Sequence, residues 1–227
     1  MKKFLIIAAI SAAAACGSYA AEVICNMSSF NWTMVAKDAL GNPIHNEEEA
    51  WPETSYLNKI KAGFKWEYVD EPGVYTGNAY EYFSGAAIYD LSPASGIDPA
   101  TITSAKLMGV SLLSHDVDSL ASEPTFNYVF NATPSEICDI DDISAEIDIT
   151  SYVLNDLNAG HGTANLSINA PDVAPGTTGI NFAQIAMMID GETPSYILIT
   201  YEVPEASQCA LLLGACGLAF AAWRRRK

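Results

Sequence analysis

Closely spaced carboxylates are the first feature of this chain with a chemistry of its own. Asp116 and Asp118 form one pair, and Asp139, Asp141 and Asp142 form a second group. Calcium takes several oxygen ligands from one loop, and carboxylates at this spacing supply them. Neither group has the glycine and terminal glutamate of an EF-hand loop, and two or three acids fall short of six ligands. The spacing therefore favours solubilising acids at turns and strand edges over a calcium site, and no other cofactor is expected.

The three histidines give no sign of a catalytic or zinc centre. His45, His115 and His161 are far apart, without a His-x-x-x-His or Cys-x-x-Cys spacing. His45 and His161 lie among Gly, Asn and Pro, which predicts exposed loop positions. The chain also lacks a Gly-x-Ser-x-Gly elbow and a Gly-rich phosphate loop. We predict no catalytic residues, while a carboxylate pair for glycoside hydrolysis stays open because its separation is set in space.

Aromatic residues at alternate positions offer a binding hypothesis. Trp66 and Tyr68 alternate with Phe64 on one predicted strand, and Tyr80 and Tyr82 alternate on the next. Aromatic faces stack on sugar rings, so an exposed row would suit contact with a glycan. The same alternation describes the buried side of a sandwich strand. Exposure decides between the two interpretations.

The elements that must position these residues are mostly strands. Alternation and β-branched or aromatic enrichment predict strands at residues 22–27, 31–37, 64–69, 79–91, 101–113, 126–131, 144–149, 163–169, 181–189 and 195–203. Helix signals are weak at 47–51 and 56–62 and strongest at 150–157, which has a hydroxyl cap. Many short strands with polar turns predict an all-β chain, a single β-sandwich at residues 21–202.

Part of this region resembles a known class of module. The segments Ala87-Ile-Tyr-Asp-Leu-Ser, Thr101-Ile-Thr-Ser-Ala-Lys-Leu and Ile147-Asp-Ile-Thr-Ser-Tyr-Val look like strand pairs of DNRLRE-type bacterial carbohydrate-binding modules. The resemblance covers roughly residues 86–202. It implies a jelly-roll arrangement of the sandwich on an exported protein, without assigning a ligand.

The N-terminal residues 1–20 predict a secretory signal peptide. Two lysines precede an apolar run at 4–15, and the small-residue triplet Ser-Tyr-Ala at 18–20 places cleavage after Ala20. We therefore expect the chain to be exported through the Sec machinery. Lipidation at Cys16 is the alternative that stays open.

The C-terminal residues 203–227 combine three parts in order. A short motif comes first and consists of Val203, Pro204, Glu205 and Ala206. An apolar run at 209–223 follows, and the segment ends with the basic residues Arg224, Arg225, Arg226 and Lys227. The run is shorter than the roughly 20 residues that cross a bilayer comfortably. It predicts a marginal membrane helix whose basic end stays cytoplasmic.

This tail resembles the PEP-CTERM sorting signals of Gram-negative bacteria that make exopolysaccharide, in which a Pro-Glu-Pro motif precedes a membrane helix and an Arg-rich end. The resemblance implies that an exosortase-type enzyme processes the tail and delivers the protein to the surface. Ala206 stands where the second proline is usual, so the resemblance rests on Pro204, Glu205, the apolar run and the arginines.

Cysteine usage fits an exported domain. Of five cysteines, only Cys25 and Cys138 lie between the two predicted targeting segments. Two thiols in an oxidising compartment predict a disulfide, which would stabilise by roughly 4 to 5 kcal/mol in the chain-entropy view. Two separately buried free thiols remain the alternative, because geometry decides.

The charge of the predicted domain excludes one class of partner. Five of the 11 basic residues and 26 of the 27 acidic residues lie between Ala21 and Val203, a formal charge of −21. Such a surface repels phosphate backbones, so nucleic acid is not an expected ligand. We expect a non-catalytic protein of the cell surface or extracellular matrix that binds polysaccharide. It would arrive there through an intermediate held in the inner membrane. A secreted glycoside hydrolase or lyase and a passive structural matrix protein are the alternatives.

Overall fold

A computed structural model describes residues 18–51, 59–71, 75–118, 122–189 and 193–204, together with the single positions 214 and 224. Thirteen strands and one α-helix make up this part of the chain. The strands are β1 (Ser18–Lys37), β2 (Pro43–Trp51), β3 (Lys59–Glu71), β4 (Tyr75–Asp90), β5 (Ile102–Met108), β6 (Val110–Asp118), β7 (Thr125–Phe130), β8 (Thr133–Asp139), β9 (Glu146–Asp148), β10 (Thr163–Asn169), β11 (Ile180–Ile189), β12 (Thr193–Pro194) and β13 (Tyr196–Pro204). The helix α1 covers Thr150–Asn158, and Ser92–Ala94, Pro99–Thr101 and Ile140–Asp142 are single turns of 3-10 helix.

The long strand β1 takes part in both halves of the structure. Residues 18–26 pair antiparallel with β13, whose other side pairs with β5, and β5 pairs with β9. After an irregularity between Met27 and Ser29, the rest of β1 pairs with β4 on one side and β2 on the other. A bulge bends a strand and re-aims its side chains, which lets β1 pass from one half to the other.

Strand β4 organises the second half. One side of β4 pairs with β1, and the other pairs first with β3 and then with β10. From β3 the pairing continues to β11 and β6, and from β10 it continues to β7 and β8. The short β12 pairs with the end of β11.

Side chains from both halves meet in one buried cluster. Ile197 of β13 and Leu107 of β5 pack in the same cluster as Tyr89 of β4, Leu166 of β10 and Ile185 of β11. In strands such as β5 and β10, alternate residues point to this interior, as the pleat requires. The all-β class is therefore confirmed, and the arrangement is consistent with a β-sandwich.

A second, smaller apolar cluster lies beside the main one. It consists of Trp32, Met34, Ala36, Phe83 and Phe182. The rings of Phe83 and Phe182 meet edge to face, with centroids 4.8 Å apart. Such aromatic pairs add about 0.5 to 1.5 kcal/mol beyond the area that they bury.

Several local predictions are wrong. Residues 47–51, a weak helix candidate, belong to β2, and residues 59–62 of the candidate at 56–62 belong to β3; residues 56–58 lie outside the described part. Pairing along neighbouring strands overrides the helix propensity of Glu, Ala and Lys here. Gly109, with φ +78, divides the strand predicted at 101–113 into β5 and β6.

The helix predicted at 150–157 is confirmed, but its predicted hydroxyl cap is wrong, because the N-cap residue is Ile149 and no side chain makes a cap bond. The backbone amide of Thr150 donates to Asp148 Oδ1 at 2.9 Å, and the Thr150 hydroxyl donates to the same atom at 2.6 Å. Ala105 of β5 donates its amide to Thr150 Oγ1 at 2.9 Å. These bonds attach the start of α1 to the sheet.

The expected disulfide is not formed: Cys25 and Cys138 are free thiols. Cys25 lies opposite Ile197 in the β1–β13 pair, whereas Cys138 lies opposite Phe126 in the β7–β8 pair. Burial, with the charge of Asp90 adding to it, raises the pKa of Cys25 to about 11. Burial also raises the pKa of Cys138 to about 11, here with the charges of Asp142, Asp139 and Glu136. The two thiols lie in different strand pairs, although both contact the main buried cluster, and no bond joins them.

The predicted targeting segments extend beyond the described residues. Residues 1–17 and most of 205–227, including the membrane segment predicted at 209–223, lie outside them. Within the described ranges, no helix is long and apolar enough to cross a membrane.

Candidate functional site

The aromatic residues singled out in the sequence come together on one face of the β3–β4 pair. Trp66 lies opposite Tyr80, and Phe64 lies opposite Tyr82. Directly opposed residues of antiparallel strands share a face, so two predicted rows form a single surface. The ring centroids of Phe64 and Tyr82 are 5.1 Å apart, and those of Phe64 and Tyr80 are 6.3 Å apart. We call the set Phe64, Trp66, Tyr68, Tyr80 and Tyr82 the aromatic strip.

The strip is buried at one end and open at the other. Phe64 and Tyr80 are buried, whereas Trp66 is 36% exposed and Tyr68 is 66% exposed. Tyr82 is half-buried: its hydroxyl donates to the Val173 carbonyl at 3.2 Å, and Lys37 Nζ lies 4.6 Å from its ring centroid. Of the four predicted glycan contacts, Trp66 and Tyr68 are therefore accessible, Tyr82 is half-buried and Tyr80 is buried.

A polar cavity of about 460 Å³ lies at the end of α1, on the far side of β10 from β4. Its lining includes Asn131, Asp156, His161, Thr163 and Asn165. The Asp156 side chain is only 3% exposed and accepts from His161 Nδ1 at 2.7 Å. Its other carboxylate oxygen accepts from the hydroxyl of Tyr128, whose pKa burial and the Asp156 carboxylate raise.

Local backbone structure brings His161 back to Asp156. Gly160 has φ +75, and its amide donates to the Leu157 carbonyl at 3.1 Å. A left-handed glycine after the last helical residues is a common helix C-terminus. The His161 amide then donates to the Asp156 carbonyl at 2.9 Å, so side chain and backbone of the two residues are joined.

The opposite wall of the cavity is a two-residue hairpin turn between β7 and β8. Asn131 has φ 49 and Ala132 has φ 61. Two left-handed residues in a row are the geometry of a type I′ turn, which suits the twist of the flanking strands. Asparagine adopts this conformation readily, but alanine does so at a cost.

The Asp156–His161 pair orients an imidazole without completing a hydrolytic triad. Asp156 binds Nδ1, which leaves Nε2 as the nitrogen for a ligand or a proton. Among the described residues, no serine, threonine or cysteine makes a hydrogen bond to Nε2. A triad needs such a nucleophile. Sequence reasoning missed this pair, although the five-residue spacing across a helix end with Gly160 was a signal that could have shown it.

One member of the second acidic group, Asp141, contacts a histidine. His115 Nδ1 lies 2.7 Å from Asp141 Oδ1, and its Nε2 lies 2.9 Å from Asn181 Oδ1. The Asn181 amide nitrogen donates to the Ser122 carbonyl, which fixes its oxygen toward the ring. Both ring nitrogens therefore donate, which requires the charged imidazolium.

The raised pKa of His115 is consistent with a charged imidazolium. Burial, the largest single influence, lowers the pKa of His115, but bonds to Asn181 and Asp141 and the charges of Asp141 and Glu123 together raise it. The His115 side chain is only 6% exposed.

The other calcium candidates lie at strand ends and in a turn. Asp116 and Asp118 belong to β6, Asp139 ends β8, and Asp142 belongs to the following turn. No group of three or more His, Cys, Asp or Glu side chains in the described part of the chain could hold a metal ion.

The first and last strands place both ends of the domain together. β1 and β13 pair over nine positions, from Ser18 opposite Pro204 to Asn26 opposite Tyr196. The predicted signal-peptide cleavage point after Ala20 therefore lies beside Glu202. The first motif residues, Val203 and Pro204, are part of β13, whereas Glu205, Ala206 and Arg225–226 lie outside the described residues.

Comparison with known proteins gives no family assignment. No protein-family model matches the chain, and no curated protein matches it.

Proposed function

We propose that this chain is an exported, non-catalytic protein of the bacterial cell surface or extracellular matrix. In this proposal a signal peptide at 1–20 directs Sec export, and the tail at 203–227 holds the protein in the inner membrane until an exosortase-type enzyme processes it. The domain between them is a jelly-roll-like sandwich that binds polysaccharide.

The pairing of β1 with β13 is the observation that carries the proposal. A chain held in one membrane by an apolar segment at each end needs both ends of its folded domain at the same edge. Ser18 opposite Pro204 meets this need without a linker. Lysines before the first apolar segment and arginines after the second both favour the cytoplasmic side, which leaves the domain outside.

The acidic surface fits the same location. With a formal charge of −16 for the whole chain, the protein stays soluble and repels other anionic surfaces. Neutral polysaccharide is then a better ligand than an anionic one.

The exposed end of the aromatic strip supports glycan contact. Trp66 and Tyr68 lie two residues apart on β3, about 7 Å along the strand, and both side chains are accessible. Pull-down on neutral insoluble glycans tests this role. Changing Trp66→Ala together with Tyr68→Ala should weaken binding at least about fivefold, because two stacking contacts are lost.

Leu113→Ala is the matched control, since Leu113 is an exposed apolar residue on β6. It should leave binding unchanged. Equal binding by the double variant and the control would reject the aromatic strip as the glycan site.

A secreted enzyme acting on polysaccharide is the second candidate, favoured by the Asp156–His161 pair beside a polar cavity. Incubation with the same glycans separates the two functions. Release of oligosaccharide that disappears in His161→Gln would establish the enzyme, whereas binding without product supports the proposal.

A further inference from the structure

The polar cavity at the end of α1 is lined mainly by uncharged groups that can make hydrogen bonds. Thr163 and Asn165 of β10 and Asn131 of the β7–β8 turn contribute a hydroxyl and two carboxamides, and His161 contributes its imidazole. The volume of about 460 Å³ falls within the range of small-molecule sites in proteins. The cavity therefore has the size and the polar groups to hold a small ligand.

Strand alternation places the β10 residues in this cavity. Ala164 and Leu166 are buried in the main cluster, so Thr163 and Asn165 point to the outer face of the sheet. Val129, the β7 partner of Asn165, also lines the cavity. Part of the cavity wall therefore lies on paired strands, which hold polar groups in place more precisely than a loop does.

The charge of Asp156 is compensated inside the protein. One of its carboxylate oxygens accepts from His161 Nδ1, the other accepts from the Tyr128 hydroxyl, and the side chain is only 3% exposed. The His161 side chain is 40% exposed, and the ring of Phe130 packs against it with centroids 5.5 Å apart. A ligand would therefore meet an oriented imidazole, whose Nε2 makes no hydrogen bond to a described residue.

These features favour a neutral ligand with hydroxyl groups over an ion. Asp156 and His161 are the only ionisable side chains among the described residues that line the cavity, and they bond to each other. A cation would find the carboxylate engaged, and the net charge of −16 disfavours an anion. A hydroxyl both donates and accepts, so it suits Nε2 in either protonation state.

Neighbouring hydroxyls of a sugar ring match the two carboxamides. A side-chain amide presents its donor NH₂ and its acceptor oxygen side by side, and two adjacent hydroxyls can pair with both. We propose that the cavity binds one residue of a neutral pyranose sugar, with His161 Nε2, Asn165 and Thr163 as its contacts. No residue of the aromatic strip lines the cavity, so this site is separate from the strip and does not rest on the proposed function.

Imidazole resonances of the full chain, labelled with isotope-enriched histidine, report on this cavity directly. The chain has three histidines, so His161→Gln assigns one set of signals to His161. Titration with glucose, galactose, mannose and rhamnose should shift the His161 signals saturably with at least one sugar. The signals of His115 should stay in place, because its ring nitrogens bond to Asp141 and Asn181. Shifts of His161 with glucuronate or phosphate alone, or with none of these compounds, would overturn the proposal.

Two substitutions on β10 test the contacts. Asn165→Ala should raise the dissociation constant of the bound sugar at least about fivefold, because hydrogen bonds to the carboxamide are lost. Thr163→Val keeps the branched shape and should raise it at least about twofold through loss of the hydroxyl. Asn169→Ala is the matched control, since Asn169 is exposed on the same face of β10 and does not line the cavity. Equal dissociation constants in Asn165→Ala, Thr163→Val and the control would refute the site.

Methyl glycosides distinguish the two forms in which such a sugar occurs. The methyl group blocks a site that encloses a free monosaccharide, whereas a site for the end unit of a longer saccharide tolerates it. Retained affinity would assign the cavity to a chain end, and lost affinity would assign it to the free sugar, so either result supports a sugar site. Equal shifts of His161 by glycerol and by every pyranose at the same concentration would contradict it.

Discussion

Several aspartate side chains accept hydrogen bonds from backbone amides of the turn in which they lie. Asp38 accepts from the amides of Leu40 and Asn42, and Asp90 and Asp98 accept from amides two residues on. Bonds to the charged carboxylate lower the pKa values of Asp38 and Asp90. Short side chains that bond to the backbone two residues on are typical turn formers. Asp38, Asp90 and Asp98 therefore stabilise the turns in which they lie.

The buried His115 should make stability fall as the pH rises above neutrality. Its folded-state pKa is raised above the ordinary value of 6.5. The folded protein thus binds the proton more tightly than the unfolded chain, so the stabilisation is complete below pH 6.5 and is lost as the pH rises through the higher folded-state pKa. Urea unfolding at pH 6 and pH 8 should give a lower free energy of unfolding at pH 8.

Asp141→Asn removes the charge that faces Nδ1 of His115, so the difference between pH 6 and pH 8 should shrink. Asp142→Asn on the same turn is the matched control and should retain the difference. An unchanged difference in Asp141→Asn would contradict the assignment of a charged His115.

The hairpin turn at Asn131 and Ala132 should be improved by a glycine. Ala132 has φ 61, a conformation that costs an alanine about 1 kcal/mol and a glycine almost nothing. Ala132→Gly should therefore raise the free energy of unfolding by about 1 kcal/mol. Ala100→Gly, at a position without positive φ, should lower it by roughly 0.5 to 1 kcal/mol. Destabilisation by both changes would refute the left-handed turn.

The two body thiols should be recovered unlinked. Because their pKa values are raised to about 11, Cys25 and Cys138 are protonated at neutral pH and react slowly while the protein is folded. Alkylation in denaturant without reductant, followed by peptide mapping, should label both. A peptide that joins Cys25 to Cys138 would restore the disulfide that the compartment alone predicted.

At the scale of elements, the β3–β11 pair depends on one glycine. A Cβ on Gly63, which has φ +115, would lie 2.1 Å from the Asn181 carbonyl oxygen. Gly63 is also the partner of both Phe83 and Phe182, whose rings meet across it. The close approach of the two strands therefore has no room for a side chain.

Gly63→Ala should destabilise the protein by about 3 kcal/mol, since backbone rather than a flexible side chain must move. Gly96→Ala is the control: no atom lies within 4 Å of the added methyl group, so the change should stay within about 0.5 kcal/mol. Thermal or urea unfolding compares the two, and similar stabilities would disprove the tight β3–β11 contact.

Strands with one buried face were predictable, and strands without one were not. Residues 163–169 alternate cleanly and form β10 with the predicted bounds. By contrast β8, at Thr133–Asp139, is mostly exposed and carries no alternation, so nothing in its pattern indicated a strand. Periodicity does not specify the strand register that places Trp66 opposite Tyr80. It also does not specify the side-chain contact between His115 and Asp141, which belong to segments distant in sequence.

At the scale of the whole molecule, strand order joins the two ends of the chain. Sequence reasoning predicted the targeting segments and the all-β class, but the pairing of β1 with β13 became visible only in three dimensions. The predicted cleavage point after Ala20 and the start of the predicted tail motif at Val203 both lie in this pair. Trp66 and Tyr68 lie on β3, a strand that does not take part in the β1–β13 pair.

The proposed export and tail processing can be tested by measuring the intact mass of the protein from the surface fraction of the bacteria that produce it. We expect a chain that begins at Ala21 and ends within residues 203–207, with any group added during processing attached at that end. Recovery of the complete chain of 227 residues from the cytosol, with both ends intact, would contradict export and tail processing together.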